Sequence, residues 1–234
     1  MTAFALVHGA WHGAWCWERL VPELEARGHR VVAVDLPSDD ATATFETYAD
    51  AVVYALDAEE EVVVVGHSLG GLTIPLVAAR RPVRRLVYLS ALAPVPERSF
   101  TEQLSIEPDT LLPEYRAGLA GPDETGMTRW QDEALARAVL YADCSERDAG
   151  AAFARMRPQA RTPHAQPCRL KALPETPRTY VVCDDDRMVN PDRARRVARE
   201  RLDADLVELP GGHSPFLSRP RELAAVLDQA AERG

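Results

Sequence analysis

The segment EVVVVGHSLGG, residues 61–71, constrains the chain more than any other. Four consecutive valines are too apolar for a strand with one wet face. They predict a strand buried on both faces, as in a parallel sheet covered by helices. The sequence then turns at once through Gly66-His67-Ser68-Leu69-Gly70 into an apolar helical pattern that runs to Pro82. A strand that becomes a helix so abruptly needs a very tight turn, and glycines on both sides of a serine let the backbone close around it. The arrangement G-x-S-x-G between strand and helix presents a serine hydroxyl at the carboxyl end of a sheet. Open α/β sheets take their ligands at that end, and a helix N-terminus there favours developing negative charge. The plain alternative is a glycine-flanked N-cap serine with no chemistry.

The rest of the chain alternates in the same way. Short apolar runs at 4–9, 30–37, 61–66, 84–92, 177–184 and 204–211 read as strands. Helical patterns occupy 15–29, 45–58, 68–82, 191–202 and 219–234. Such alternation predicts an α/β fold with a six-stranded, mostly parallel sheet flanked by helices. Residues 94–176 have another texture, rich in Pro, Glu and Arg, with helical patches at 127–144 and 146–156. A structureless connection of that length is uncommon. The segment is expected to be a helical cap inserted into a core made of 1–93 and 177–234.

Composition narrows the partners. With 234 residues the chain is long enough for one sizeable core with an insertion. Its net charge is −9, and no basic patch or tail offsets it. This argues against nucleic acid or an anionic membrane as partner. The four cysteines, Cys16, Cys144, Cys168 and Cys183, lack metal or disulfide spacing and read as reduced thiols. The first residues already read as a core strand, and no apolar run reaches the roughly 20 residues of a membrane span. A cytoplasmic protein is expected.

A serine hydroxyl needs a base to take its proton. Of the six histidines, His213 in LPGGHSP follows the last strand and so stands at the carboxyl end of the sheet. His29 closes a helix, His164 lies in the cap, and His67 is read as packing beside the serine. The base in turn needs an acid. CDDDRMVNP, residues 183–191, offers Asp184, Asp185 and Asp186, which chemistry alone does not separate. Asp35 reads as structural. Carbonyl attack puts charge on oxygen, and backbone N–H groups stabilise it. Leu69, directly after the serine, is one expected donor. Ala10, in the loop HGAWHGAW (8–15), is the other, with Gly9 admitting close approach. Gly9, Trp11, His12 and Trp130 are expected at the substrate pocket; Phe100 and Tyr141 are further candidates, and Trp15 is assigned to the core.

These motifs together give a resemblance. LVHGAWHGAWCW, GHSLGG, YVVCDDDRMVNP and LPGGHSPFLSRPREL resemble the α/β hydrolases over essentially the whole chain. The closer likeness is to the small-capped plant methylesterases and hydroxynitrile lyases with their bacterial relatives. The resemblance places the acid at Asp186. With it, a serine carboxylesterase acting through an acyl-enzyme is expected, with no metal or organic cofactor; since such pockets are typically apolar, a small and fairly apolar ester is the expected substrate. The lyases of this group carry a lysine after the histidine and a threonine in the first loop. Here Ser214 follows His213, the loop reads His8-Gly9-Ala10, and the single lysine is Lys171, so cyanohydrin chemistry is disfavoured. Relatives that attack with aspartate are excluded by Ser68. A non-hydrolytic receptor on the same scaffold, lactone or amide hydrolysis, and acyl transfer stay open. So does the choice between monomer and homodimer.

Overall fold

The computed structural model describes residues 1–56 and 59–233. Six strands form the main sheet: β1 (Ala3–Val7), β2 (Arg30–Val34), β3 (Val62–His67), β4 (Arg85–Leu89), β8 (Arg178–Cys183) and β9 (Asp205–Leu209). Their order is β2-β1-β3-β4-β8-β9, and every pair is parallel. Between β4 and β8 lie the short strands β5 (Leu119–Ala120), β6 (Met127–Trp130) and β7 (Gln159–Ala160), which form a small antiparallel sheet.

The valine run behaves as its composition requires. Val62, Val63, Val64 and Val65 are fully buried, because helices cover both faces of β3. Phe45–Ala55 and Pro220–Glu232 are the longer covering helices, and both turn their apolar residues to the sheet. Thr44 caps the first of these, its hydroxyl accepting from the Thr47 N–H at 3.1 Å. The expected helix over 45–58 ends at Ala55, and residues 57–58 lie outside the described residues, as does residue 234 of the last helix.

Two expected helices are broken, for one reason. Over 15–29 the structure has a 3₁₀ turn, Ala14–Trp17, and then the helix Leu20–Glu25. Over 68–82 it has a 3₁₀ turn, Ser68–Leu72, and then Ile74–Ala78. Pro22 and Pro75 sit in the first turns of the second pieces. A proline lacks the N–H that would continue a preceding helix, yet fits a first turn. The helical patch expected over 127–144 also divides. Residues 127–130 pair as β6, and the helix Glu133–Leu140 starts only after Asp132, whose carboxylate caps it by accepting from the Leu135 N–H at 3.0 Å. The cap is therefore part helix and part sheet.

Parallel pairing sends the carboxyl ends of all six strands to one edge of the sheet. The turns after β1, β3, β8 and β9 thus meet there. The tightest is the turn after β3. Ser68 has a φ of +50°, and the turn presses against the end of β1. A Cβ on Gly70 would stand 2.7 Å from the Val7 carbonyl oxygen and 2.8 Å from that of His8. Both obstacles are backbone and cannot swing aside. Gly70→Ala is expected to cost about 1–3 kcal/mol, as overpacking does. A thermal melt should show a drop in Tm of roughly 2–4 °C per kcal/mol; an unchanged Tm would contradict this packing.

Candidate active site

Ser68 opens the 3₁₀ turn after β3, and its left-handed backbone lifts the side chain out of the sheet edge. Such a φ is strained for a residue with a Cβ. It is held from both sides: the Leu92 N–H donates to the Ser68 carbonyl at 3.0 Å, and Gly9 packs beneath. A Cβ on Gly9 would come within 2.8 Å of the Ser68 Cβ, so only glycine lets the first loop lie directly against the serine.

Ser68 faces a cavity of about 530 Å³ between the sheet edge and the cap. Ala10 and Leu69 line it beside the serine, where backbone donors for a carbonyl oxygen were expected. Leu104, Leu111, Leu119 and Met188 make much of the rest apolar. Trp11 and Phe100 are also on the wall. Trp11 has a φ of +61° and is pinned at both ends. Its indole N–H donates to Thr128 Oγ1 at 3.1 Å, and its carbonyl accepts from the Arg157 N–H at 2.8 Å. Trp130 sits behind this wall, edge-on to Trp11 with ring centroids 5.8 Å apart.

His213, on the turn after β9, is buried and within hydrogen-bond reach of one acid. Its Nδ1 lies 2.8 Å from Asp186 Oδ2. Asp186 Oδ1 accepts from the N–H groups of Met188 at 2.7 Å and Val189 at 3.0 Å. Both carboxylate oxygens are thus occupied, which fixes the carboxyl plane toward the imidazole. The neighbouring acids turn away: Asp184 pairs with Arg195 at 2.7 Å, and Asp185 is exposed. Asp35 is remote from this pair. It accepts from the Ala14 N–H at 3.0 Å and meets Arg157 at 2.7 Å, bracing the first loop.

Three further histidines stand directly behind the site, all buried. His8 Nδ1 donates to the Gly9 carbonyl at 2.8 Å, and its Nε2 accepts from the Leu36 N–H at 3.0 Å. His12 Nδ1 donates to the Ala10 carbonyl at 2.8 Å, and its Nε2 accepts from the Tyr141 hydroxyl at 2.9 Å. His67 Nε2 donates to the carbonyl of His213 at 2.9 Å. His12 therefore lies behind the loop and holds it, away from the cavity wall where it was expected. His67, read from sequence as packing, braces the backbone of His213. These contacts escaped the sequence because they depend on where each ring turns. The spacing of His8 and His12 in HGAWH was the one visible signal.

Each of these rings needs a neutral imidazole, one nitrogen donating and one free to accept. Burial enforces this. It lowers the pKa of His8 to about 4 and of His12 to about 3, and it holds His67 well below the ordinary 6.5. His164, on the cavity wall, is lowered to about 4 for the same reason. Below pH 6.5 the unfolded chain binds protons that the folded chain refuses, so stability is full above that pH and falls as the pH drops. One such ring removes about 2 kcal/mol by about pH 5. Calorimetry at about pH 7.5 and about pH 5 should show a clearly lower Tm in acid; equal values would contradict the neutral buried rings. Tyr141→Phe leaves the His12 acceptor unpaired and should cost about 1–3 kcal/mol in chemical denaturation.

The comparisons with known proteins agree with this architecture. The methylesterase 2 of Arabidopsis thaliana is 29% identical over 94% of this chain and 92% of its own. The polyneuridine aldehyde esterase of Rauvolfia serpentina is 28% identical over 96% of this chain and 93% of its own. Among solved structures, a pyrethroid hydrolase from Sphingobium faniae superposes with a TM-score of 0.82 at 27% identity, covering 99% of this chain and 97% of that one. The alpha/beta hydrolase family profile matches residues 4–226, and the chain belongs to that family.

Proposed function

We propose that the protein is a serine carboxylesterase in which Ser68, His213 and Asp186 form the catalytic triad. One observation carries the reading: Ser68, Ala10 and Leu69 share one cavity wall, while the imidazole of His213 is held by Asp186 at 2.8 Å on a turn that His67 ties to the serine turn. Relatives named as esterases and hydrolases support the same reaction class.

In this mechanism His213 takes the proton of Ser68 as the hydroxyl attacks the ester carbonyl. Asp186 holds Nδ1 protonated, so that Nε2 is free to act as base, and it stabilises the imidazolium that forms. The N–H groups of Ala10 and Leu69 receive the oxyanion; losing one such donor typically costs about 10²–10³ in rate. His213 then passes its proton to the departing alcohol. Water attacks the acyl-enzyme with His213 as base again, and the acid leaves. The apolar wall of Leu104, Leu111 and Met188 favours an apolar acyl or alcohol part. A cavity of about 530 Å³ suits a small molecule.

The test is hydrolysis of p-nitrophenyl butyrate and octanoate. Ser68→Ala should lower kcat/KM by about 10⁴-fold or more, and Asp186→Asn by a comparable amount through the wrong histidine tautomer. Release of p-nitrophenol at wild-type rates by folded Ser68→Ala would refute the serine mechanism. Transfer of the acyl group to added methanol in place of water would move the reading to acyl transfer.

A further inference from the structure

We infer that the cavity takes an ester whose remote end is an anion, joined to the reacting carbonyl by an apolar stem. A half-ester of a medium-length dicarboxylic acid is the simplest member of that class. The inference rests on the reading of Ser68 as an ester-cleaving nucleophile and names the substrate of that same site.

The charge on the cavity wall is the starting point. The chain carries 36 acidic and 27 basic residues, so a wall of average composition would include carboxylates. Among the described residues lining this cavity, the permanently charged side chains are Arg116 and Arg161, and no acid is present. His164 adds no charge, since burial keeps it neutral. Elsewhere the arginines commonly meet carboxylates. Arg157 binds Asp35 and Asp39, and Arg195 binds Asp184, Asp192 and Glu208. Among the described residues, the ion pairs include neither Arg116 nor Arg161.

Their placement is as specific as their charge. Arg116 belongs to the short helix Tyr115–Gly118 that leads into β5, and its guanidinium lies over the Tyr115 ring, 5.9 Å from the centroid. Arg161 directly follows β7, and its N–H donates to the Gly126 carbonyl at 3.1 Å. β5 and β7 are the two edge strands of the cap sheet. The two cations thus flank that sheet on the cap side of the cavity, while Ser68, Ala10 and Leu69 occupy the core side. Leu104, Leu111, Leu119 and Met188 give the same wall its apolar surface. A substrate with its carbonyl at Ser68 passes an aliphatic stem along these residues and ends at the arginines. A guanidinium fork matches a carboxylate in two parallel hydrogen bonds, which suits this end group. Both arginines are exposed, so they keep their water until the ligand arrives, and they draw anions toward an otherwise acidic molecule.

The experiment compares mono-p-nitrophenyl suberate with p-nitrophenyl octanoate, two esters with acyl chains of equal length. Wild type should prefer the anionic ester in kcat/KM by about tenfold at low salt, allowing for the exposure of the arginines. Sodium chloride should erode that preference. Arg116→Gln with Arg161→Gln should abolish it, mainly through KM. Arg199→Gln, on the helix Pro191–Glu200 and away from the cavity, should leave the ratio within about twofold. A wild type that prefers octanoate, or a preference that survives the double change, overturns the inference. Calorimetric binding of monomethyl suberate to Ser68→Ala separates the two readings. If neither nitrophenyl ester turns over but monomethyl suberate binds and the two arginine changes release it, the esterase reading fails and the anion site stands. No binding, or binding indifferent to the arginines, overturns the anion site whatever the turnover.

Discussion

The contact between two turns governs the reactive end of this molecule. β1 and β3 are neighbours in parallel register, with Val7 opposite Gly66. The segments that follow, His8-Gly9-Ala10 and His67-Ser68-Leu69, therefore leave the sheet side by side. They touch because Gly9 and Gly70 present no Cβ where the other backbone passes. That contact is what brings Ala10 and Leu69 to the same wall as Ser68. The second half of the site arises in the same way. β8 and β9 pair with Cys183 opposite Leu209, and the turns beyond them carry Asp186 and His213. Two pairs of adjacent parallel strands thus deliver Ala10, Ser68, Leu69, Asp186 and His213 to one edge, and no long-range device is needed to gather them.

Such closely packed turns leave carbonyl groups pointing into protein, where an unpaired acceptor costs about 1–3 kcal/mol. His8, His12 and His67 answer this with ring N–H donors to Gly9, Ala10 and His213. Lysine or arginine could donate as well, but each would bring a charge whose burial is costly. A neutral imidazole supplies one donor, one acceptor and no charge. The cost appears at low pH, where burial must be traded against protonation. The chain Tyr141 to His12 to Ala10 also ties the cap to the first loop, so two pieces that shape the cavity are mechanically linked.

The legibility of these features in the sequence follows the range of the forces involved. Strands were readable because four valines in a row, or AFALV and TYVVC, are determined by burial alone. The turn at Ser68 was readable because glycines mark close backbone approach. Helix lengths failed where a single proline intervened, at Pro22 and Pro75, since periodicity continues across a break that one missing N–H enforces. The cap was readable as an insertion and little more. Its strands β5 and β7 have two residues each, too few to show an alternation, and they exist only because β6 lies between them. The acid was ambiguous among Asp184, Asp185 and Asp186 for a related reason. Three identical residues differ only in which way the backbone turns each one, and the turn here aims Asp186 at His213 and at its own N–H donors.

The sheet edge and the cap are constrained to different degrees. The turns after β1, β3, β8 and β9 are locked by mutual contact, and a change there disturbs several groups at once. Arg116 and Arg161 stand beside the cap sheet, exposed on the cavity wall and outside the ion pairs of the described residues. Substitution at such positions changes the charge of the cavity wall without touching the contacts that hold the sheet edge. Proteins named methylesterase, polyneuridine aldehyde esterase and pyrethroid hydrolase are 27–29% identical to this chain over nearly its whole length. A rigid sheet edge facing a cap whose wall can change residue by residue is a physical arrangement that permits divergence within one fold. The positive pair on this chain's cap, set against a net charge of −9, is one particular setting of that wall.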